Sequence, residues 1–332
     1  MLPEMPVLNI AVIGSQDLLR SMGKLSDTRD IESYVYKEGT GTHRKIISMI
    51  RPLNYPAKIR PLLSALNVSD HGIIEVTSLD AALGEAMVAF SSAGIEDGDL
   101  FINPKDGGWI DQEKVEVIKN QAGLKTWNLH ASIPDLHEYR STLLEKIPRF
   151  ESDENLLVSV DQHFVVKGIG LVGIGYVRSG FIKKHDAIRI QPGGGYEGVV
   201  RSLQVMDEDV DTAVIGDRVG VALRGVKDDV LDKGSQIVSS DSNVLVTMDR
   251  SEVCVNFSEF QTRPLNVNDI IHMSCDLQFM VGRVESIEGD VITVRWDRPI
   301  WVRSHHNKPP IVVQLDAGSM RICGSVLAIK PV

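Results

Sequence analysis

The residues best suited to binding phosphate lie close together near the carboxyl terminus. Between positions 295 and 308 the chain carries one carboxylate, four cationic side chains and two adjacent histidines: Asp297, Arg295, Arg298, Arg303, Lys308, His305 and His306. Such a cluster can hold the phosphates of a nucleic acid backbone. A solvated loop would have the same composition, and two adjacent histidines alone are a weak sign of a metal site. We keep both interpretations of this segment and predict no metal site.

The composition restricts any nucleic-acid contact to a local patch or pocket. The chain has 332 residues, a net charge of −10 and 5% aromatic residues. An acidic balance argues against broad, non-specific nucleic-acid binding, and few aromatic residues argue against base stacking as the main mode of binding. We predict no DNA partner.

The cysteines and the apolar runs indicate a cytoplasmic chain. The cysteines Cys254, Cys275 and Cys323 form no Cys-x-x-Cys pair, so reduced and buried thiols are expected. No run of about 18 apolar residues is present, so we expect no membrane span and no membrane partner. The amino terminus lacks the basic start and the small-residue cleavage site of a secretory signal.

The first 148 residues alternate between strand-like and helix-like segments. Short apolar runs predict strands at Leu8–Ile13, Ile46–Ile50, Gly72–Thr77, Leu100–Ile102 and Leu124–His130. Helical spacing predicts helices at Lys58–Leu66, Ala81–Ser91, Asp111–Gln121 and Pro134–Lys146. This alternation is typical of a parallel sheet with helices on both faces, which binds ligands at the carboxyl ends of its strands.

The rest of the chain has the composition of β-structure. Val, Ile and Gly dominate from Leu156 onward, in short runs separated by turn residues. Short strands at regular spacing indicate β-barrels or sandwiches. The polar stretch Ser239–Asn243 divides this part into halves of similar length, so two small barrels are expected.

One stretch, Val160–Val238, carries a specific pattern. It contains, in order, Asp161, Phe164, Gly168-Ile169-Gly170, Ser179-Gly180, Ile182-Lys183, Gly216-Asp217-Arg218-Val219-Gly220 and Lys233-Gly234. This order and spacing resemble the second domain of elongation factor Tu and its relatives, the translational GTPases. Residues 252–332 are more loosely similar to the family's third domain, although Leu315 stands where the family usually has arginine.

The resemblance implies a multidomain fold: an α/β domain of the P-loop type followed by two β-barrels. The expected boundaries are 1–148 for a degenerate GTPase-like domain, 149–240 for the first barrel and 241–332 for the second. Within the family the chain most resembles the selenocysteine-specific factors of archaea, particularly a methanogen paralogue proposed to serve pyrrolysyl-tRNA.

A GTPase of this family needs a phosphate-binding loop after its first strand, and this chain has a degenerate one. In the pattern Gly-x-x-x-x-Gly-Lys-Ser/Thr, backbone N–H groups and the lysine hold the phosphates and the hydroxyl binds Mg²⁺. Gly14 and Ser21 keep the first and last positions, whereas Leu19 replaces the second glycine and Arg20 replaces the lysine. A side chain at Leu19 obstructs the loop. The planar guanidinium group of arginine is also wider than the compact ammonium group of the lysine that it replaces.

Two further elements of the family's nucleotide site are altered. Arg51, Asn54 and Tyr55 replace the aspartate, glycine and histidine of Asp-x-x-Gly-His, which organise Mg²⁺, sense the γ-phosphate and position the attacking water. Asn103 and Asp106 keep the two ends of the guanine-reading Asn-Lys-x-Asp element, although a plain turn after a strand would look the same.

We therefore predict a vestigial nucleotide site at Gly14, Ser21, Asn103 and Asp106, with no catalytic residues. The interpretation is a pseudo-GTPase that needs no cofactor, with GTP and Mg²⁺ bound only if the degenerate site still accepts them. An enzyme that hydrolyses GTP, with Arg20 and Ser21 substituting in the loop, is the alternative.

The resemblance also places the aminoacylated end of tRNA on the second domain. The selenocysteine branch carries an Asp-Arg pair and a further Arg there, which fall on Asp161, Gln162 and Arg218 in this chain. Gln162 departs from the pattern, and the loss of one cation suggests a larger or neutral aminoacyl group. A surface ion pair between Asp161 and Arg218, worth little energy, is the alternative.

These observations give one leading function and two alternatives. The leading one is an elongation-factor-like protein that binds aminoacyl-tRNA through its barrels, with the ribosome left open as a further partner. The predicted RNA-binding residues are Asp161, Gln162, Arg218, Arg295, Arg298, Arg303 and Lys308. The alternatives are an active GTP-binding translational GTPase and a protein-interaction module derived from one.

Overall fold

The computed structural model describes residues 7–39, 44–147, 155–192, 195–303, 306 and 308–332. These residues form an α/β domain followed by two closed six-stranded β-barrels, which confirms the expected fold class. The expected boundary after residue 148 falls in the stretch 148–154, outside the described residues, so the exact limits of the three domains stay predictions.

The α/β domain is built on one sheet. Its strands are β1 (Val7–Ile13), β2 (Lys24–Thr28), β3 (Ile31–Glu38), β4 (Lys45–Pro52), β5 (His71–Val76), β6 (Gly98–Ile102) and β7 (Asn128–His130). Their spatial order is β2-β3-β4-β1-β5-β6-β7. Strand β1 pairs in parallel with β4 and β5, and its nearly continuous apolar sequence fits a strand covered on both faces.

Helices cover both faces of this sheet, as the alternating pattern predicts. They are α1 (Gln16–Met22), α2 (Arg60–Val68), α3 (Ala81–Ser92), α4 (Gln112–Gln121) and α5 (Leu136–Glu145). Helices α1 and α5 pack in one apolar core, whereas α2, α3 and α4 pack in a second core on the opposite face. None of the helices within the described ranges is long and apolar enough to cross a membrane.

The hairpin of β2 and β3 is the main departure from the expected sheet. Strand β3 runs antiparallel to β4, with Ile31 opposite Pro52 and Glu38 opposite Lys45, and β2 runs antiparallel to β3. The sheet is therefore mixed rather than parallel. Neither this hairpin nor α1 is among the elements expected from the sequence, although the run from Ile31 to Tyr36 is rich in residues that favour strands.

The first barrel follows the α/β domain. Its strands are β8 (Leu157–Val166), β9 (Gly170–Ser179), β10 (Phe181–Lys183), β11 (Ala187–Gln191), β12 (Tyr196–Val205), β13 (Glu208–Val210), β14 (Thr212–Val214), β15 (Arg218–Arg224) and β16 (Gln236–Ser239). Pairing of β11 with β12 closes the ring. Gly168 and Gly170 have φ angles of +83° and +106° at the turn between β8 and β9, a backbone region that favours glycine.

The second barrel packs against both preceding domains. Its strands are β17 (Leu245–Phe257), β18 (Ile270–Cys275), β19 (Gln278–Glu288), β20 (Val291–Arg303), β21 (Ile311–Val313) and β22 (Ile322–Pro331). Tyr176 of the first barrel joins Leu277, Ile311 and Ile322 of the second in the apolar core that surrounds α2 and α3. The three domains therefore share one continuous core.

Candidate functional site

The end of β1 and the start of α1 form the point where the family's pattern places the phosphates. Ser15 caps α1, and its Oγ accepts a hydrogen bond from Leu18 N at 3.2 Å. The backbone N–H of Ser15 donates to Glu75 Oε2 at 2.5 Å, and Asn103 Nδ2 donates to Glu75 Oε1 at 2.5 Å. Glu75 is buried near the end of β5. A carboxylate of the chain itself therefore takes the backbone donor that a phosphate would need.

Arg51 fills the other side of the same loop. Its Nε donates to the backbone oxygen of Gly14 at 2.7 Å, and its Nη1 lies 2.9 Å from Glu32 Oε2. Gln16 Nε2 donates to Glu32 Oε1 at 2.6 Å, so Glu32 of β3 bridges the loop and the strand that follows. The charge of the guanidinium is thus balanced within the chain by Glu32.

The structure brings together only part of the predicted nucleotide site. Gly14 and Asn103 both lie beside Glu75, where a Cβ added to Gly14 would come within 3.3 Å of Glu75 Oε2. Ser21 is the sixth residue of α1, and its hydroxyl donates to Asp17 O of the same helix at 2.8 Å. Ser21 therefore does not lie at the phosphate end of the helix. Asp106 is part of a short 3₁₀ helix, and its side chain lies outside what the structure describes.

Tyr55, which replaces the family's catalytic histidine, takes part in a contact between domains. Its hydroxyl donates to Ala82 O at 2.7 Å and to Glu85 Oε2 at 3.2 Å. Burial, together with the neighbouring Glu85 carboxylate, raises the pKa of Tyr55 well above its ordinary value. Glu85 in turn binds Arg321 of the second barrel. The phenol is therefore held neutral in an interface rather than positioned to orient water.

The predicted aminoacyl site on the first barrel is assembled, with an addition from the α/β domain. Arg218 Nη2 lies 3.3 Å from Asp161 Oδ2 and 3.0 Å from Asp27 Oδ2, and Gln162 Nε2 donates to the same Asp27 oxygen at 3.0 Å. Arg29 lies 3.0 Å from Asp27 and 3.7 Å from Asp161. We name this group of five residues the aminoacyl seat. Asp161 is 7% exposed, so its ion pair is not the surface pair considered as the alternative.

A cavity of about 170 Å³ adjoins the aminoacyl seat where the three domains meet. Its lining residues are Arg29, Asp30, Ile31, Ser64, Val68, Asp161, Tyr176, Lys233 and Leu277. Burial raises the pKa of Asp161, while the cations Arg218 and Arg29 act in the opposite direction. The cavity therefore combines apolar walls with one buried carboxyl group.

The basic segment 295–308 separates into two parts. Arg295 and Arg298 are exposed on β20. Arg303 is buried and holds both oxygens of Asp276, at 2.9 and 2.8 Å, and Lys308 lies 2.8 Å from Asp70 of the α/β domain. Arg303 and Lys308 thus each form a structural ion pair with another element, which corrects the expectation that they face RNA. His305 lies outside the described residues.

The second histidine of the pair lies beside a possible metal-binding group. Cys275, Asp276 and His306 place one ligand atom each within 4.8 Å of one another. Arg303 and Arg178 both face Asp276, the latter at 3.6 Å, and burial raises the pKa of the Cys275 thiol well above its ordinary value. A protonated thiol and two guanidinium groups disfavour a cation. The arrangement fits a buried ion-pair network.

The strand register adds two cations that the sequence analysis missed. Arg295 of β20 lies directly opposite Arg250 of β17 and directly opposite Arg283 of β19. Glu285 accepts hydrogen bonds from Arg250 and Arg295, at 2.5 and 2.6 Å. We name Arg250, Arg295 and Arg283 the arginine row. Like charges directly opposite on neighbouring strands are destabilising, and Glu285 offsets this repulsion for Arg250 and Arg295.

Comparison with known proteins agrees with this architecture. Residues 170–238 match the family model described as Elongation factor Tu domain 2. An uncharacterised protein of Methanocaldococcus jannaschii is 26% identical over 283 residues, which cover 85% of this chain and 87% of that protein. The selenocysteine-specific elongation factor of the same organism is 28% identical over 186 residues, which cover 56% of this chain and 36% of that factor.

Solved structures show the same fold over nearly the whole chain. Translation elongation factor SelB from Methanococcus maripaludis, in complex with the GTP analogue GPPNHP, has a TM-score of 0.80 at 20% identity and covers 99% of this chain and 80% of that one. The chain has the fold of a solved translation elongation factor and is similar in sequence to the selenocysteine-specific factor over about half of its length. More narrowly, its first barrel is similar to domain 2 of elongation factor Tu, and the whole chain resembles factors of the Tu and SelB type.

Proposed function

We propose that the protein binds aminoacyl-tRNA as a pseudo-GTPase of the elongation factor type, without binding GTP and Mg²⁺. The observation that carries this proposal is the Glu75 carboxylate, which accepts the Ser15 N–H at the start of α1. An incoming phosphate would meet a buried negative charge instead of free backbone donors. Loss of nucleotide binding leaves the barrels as the surfaces available for RNA.

The metal requirement points in the same direction. Arg51 lies against the loop oxygen of Gly14, and a guanidinium repels Mg²⁺ instead of binding it. Glu32, the carboxylate closest to Arg51 among the described contacts, is already shared by Arg51, Gln16 and Tyr34. Binding a triphosphate with its metal would require both of these charge pairs, Glu75 with its donors and Arg51 with Glu32, to be broken.

We predict that GTP with Mg²⁺ produces no saturable binding heat in an isothermal titration with the intact protein. The reason is electrostatic, because Glu75 and Arg51 each present the wrong sign of charge to the ligand group they would meet. SelB of Methanococcus maripaludis, whose structure contains GPPNHP, serves as the positive control under the same conditions. A micromolar dissociation constant for the present protein would overturn the pseudo-GTPase proposal.

The RNA-binding part is tested with one tRNA in its charged and uncharged forms. Mobility-shift titration is expected to show tighter binding of the charged tRNA, because only the charged form carries an aminoacyl group that could fill the cavity beside the aminoacyl seat. Equal and weak binding of both forms would contradict the proposal. If the affinity changes little with salt concentration, a protein partner is favoured, because phosphate contacts release counterions and make RNA binding strongly salt-dependent.

The arginine row gives a second prediction about RNA. Replacing Arg250 and Arg295 together by glutamine is expected to reduce the slope of log affinity for tRNA against log salt by about 1–2, because each lost phosphate contact removes about one unit. Lys330→Gln is the matched control, since Lys330 is an exposed cation of the same barrel that pairs with Glu252. An unchanged salt slope in the double variant would show that RNA does not reach this face.

A further inference from the structure

The anion-binding side of the aminoacyl seat is already occupied by a residue of the α/β domain. Asp27 of β2 accepts hydrogen bonds from Arg218 Nη2 and Gln162 Nε2 through one oxygen, each at 3.0 Å. The same oxygen lies 3.0 Å from Arg29. Arg218 and Gln162 are the barrel groups that would otherwise be available to a negatively charged aminoacyl side chain.

The charges around the seat and its cavity are balanced. The carboxylates Asp27, Asp30 and Asp161 face the cations Arg29, Arg218 and Lys233. Asp30 pairs with Lys233 at 2.6 Å, so the cation at the far wall of the cavity is also engaged. An anionic group entering here would compete with Asp27, Asp30 and Asp161 for the cations that these carboxylates already contact.

Within the described part of the chain, the seat has one buried acceptor and one buried donor without a hydrogen-bond partner, Asp161 Oδ1 and Arg218 Nε. Asp161 Oδ1 is buried and has no hydrogen-bond partner among the described residues, whereas Asp161 Oδ2 faces Arg218. Asp161 also lines the cavity, whose volume of about 170 Å³ is close to that of a cavity able to hold a benzene ring, roughly 150 Å³. Ile31, Val68 and Leu277 supply apolar wall. A group with an N–H donor and an apolar body matches these features.

We propose that the aminoacyl seat selects an uncharged or ammonium-bearing aminoacyl group and rejects anionic ones, with Asp27 as the residue that determines this specificity. The inference rests on the proposed binding of aminoacyl-tRNA and names the class of aminoacyl group. The ligand donates an N–H to Asp161 Oδ1, and its body fills the adjoining cavity. Asp27 remains on Arg218 and Gln162, so the hairpin of β2 and β3 forms part of the seat.

The test uses one tRNA transcript charged with glutamine or with glutamate, which differ in charge and hardly in shape. Equilibrium competition binding to the wild-type protein is expected to favour the glutamine form by roughly tenfold or more, because the glutamate carboxylate meets Asp27 and Asp161. Equal affinity, or preference for glutamate, overturns the inference. Uncharged transcript in the same assay reports on the proposed function itself.

Asp27→Asn identifies the residue responsible. Asparagine keeps the shape and an acceptor for Arg218 but removes the charge, so the preference for glutamine over glutamate is expected to shrink by about tenfold. Glu38→Gln is the matched control, because Glu38 belongs to the same hairpin and contacts Tyr36. The control should keep the wild-type preference. If the Asp27→Asn variant keeps the wild-type preference for glutamine over glutamate, other groups are responsible for the selection, and the role of Asp27 is overturned.

The outcomes separate this inference from the function on which it rests. Charged forms that bind more tightly than uncharged tRNA, but without discrimination between glutamine and glutamate, retain the proposed function and overturn the inference. If no charged form binds more tightly than uncharged tRNA, both the proposed function and the inference are overturned. A melting temperature of each variant close to that of the wild type excludes unfolding as the cause of any change.

Discussion

Replacing Glu85 by alanine is expected to lower the free energy of unfolding by roughly 3–5 kcal/mol, since it removes one partner of a buried ion pair. Glu85 lies on α3 and is 1% exposed. Its oxygens accept hydrogen bonds from the backbone N–H, Nε and Nη2 of Arg321 and from the hydroxyl of Tyr55. The variant would leave the Arg321 cation at the interface between the α/β domain and the second barrel without its carboxylate. Urea unfolding followed by circular dichroism measures the loss.

Glu252→Ala is the control for this prediction. Glu252 pairs with Lys330 on the surface of the second barrel, where both side chains are well exposed. Exposed ion pairs contribute about 0–1 kcal/mol, so the control should stay close to the wild type. An equally small effect in Glu85→Ala would show that the domains do not depend on this contact.

Local patterns were sufficient to predict most of the fold. The helix at Ala81–Ser91 is observed as Ala81–Ser92, beginning at the capping residue Asp80, and Leu8–Ile13 is observed as the central strand. Apolar periodicity and caps are local properties, which explains this success. The hairpin of β2 and β3 was missed because no strand was predicted between Ile13 and Ile46. Its pairing with β4 depends on register, which the local pattern does not reveal.

The functional site could be predicted only where the family pattern names residues. Asp161, Gln162 and Arg218 were identified in this way, and the structure brings them together. Their partner Asp27 lies 191 positions from Arg218, and Glu75 lies 60 positions from Ser15. Neither carboxylate belongs to a motif, so only the tertiary structure reveals their contacts with Arg218 and Ser15. The same reason applies to Arg303, because a run of basic residues in the sequence does not reveal that this side chain is buried against Asp276.

Asp217→Asn is expected to change the pH dependence of stability. Asp217 is buried in the turn before β15, and burial raises its pKa from 3.8 to about 7 although Val214 N donates to its Oδ2. A raised pKa means that the folded state binds the proton more tightly, so stability falls as pH rises from about 4 to 7. The rise in pKa corresponds to roughly 4 kcal/mol at pH 8. Asparagine keeps the acceptor for Val214 and removes the titration.

The quantity to measure is the stability of the variant minus that of the wild type, obtained from urea unfolding at several pH values. Asparagine also buries an NH₂ group, but that cost is independent of pH, so the difference should increase by roughly 3 kcal/mol from pH 4 to pH 8. If the free energy of unfolding depends on pH in the same way for wild type and Asp217→Asn, ionisation of the Asp217 carboxyl group does not destabilise the folded state. The expected cost has a structural cause, because Asp217 is 2% exposed and its Oδ1 has no hydrogen-bond partner among the described residues.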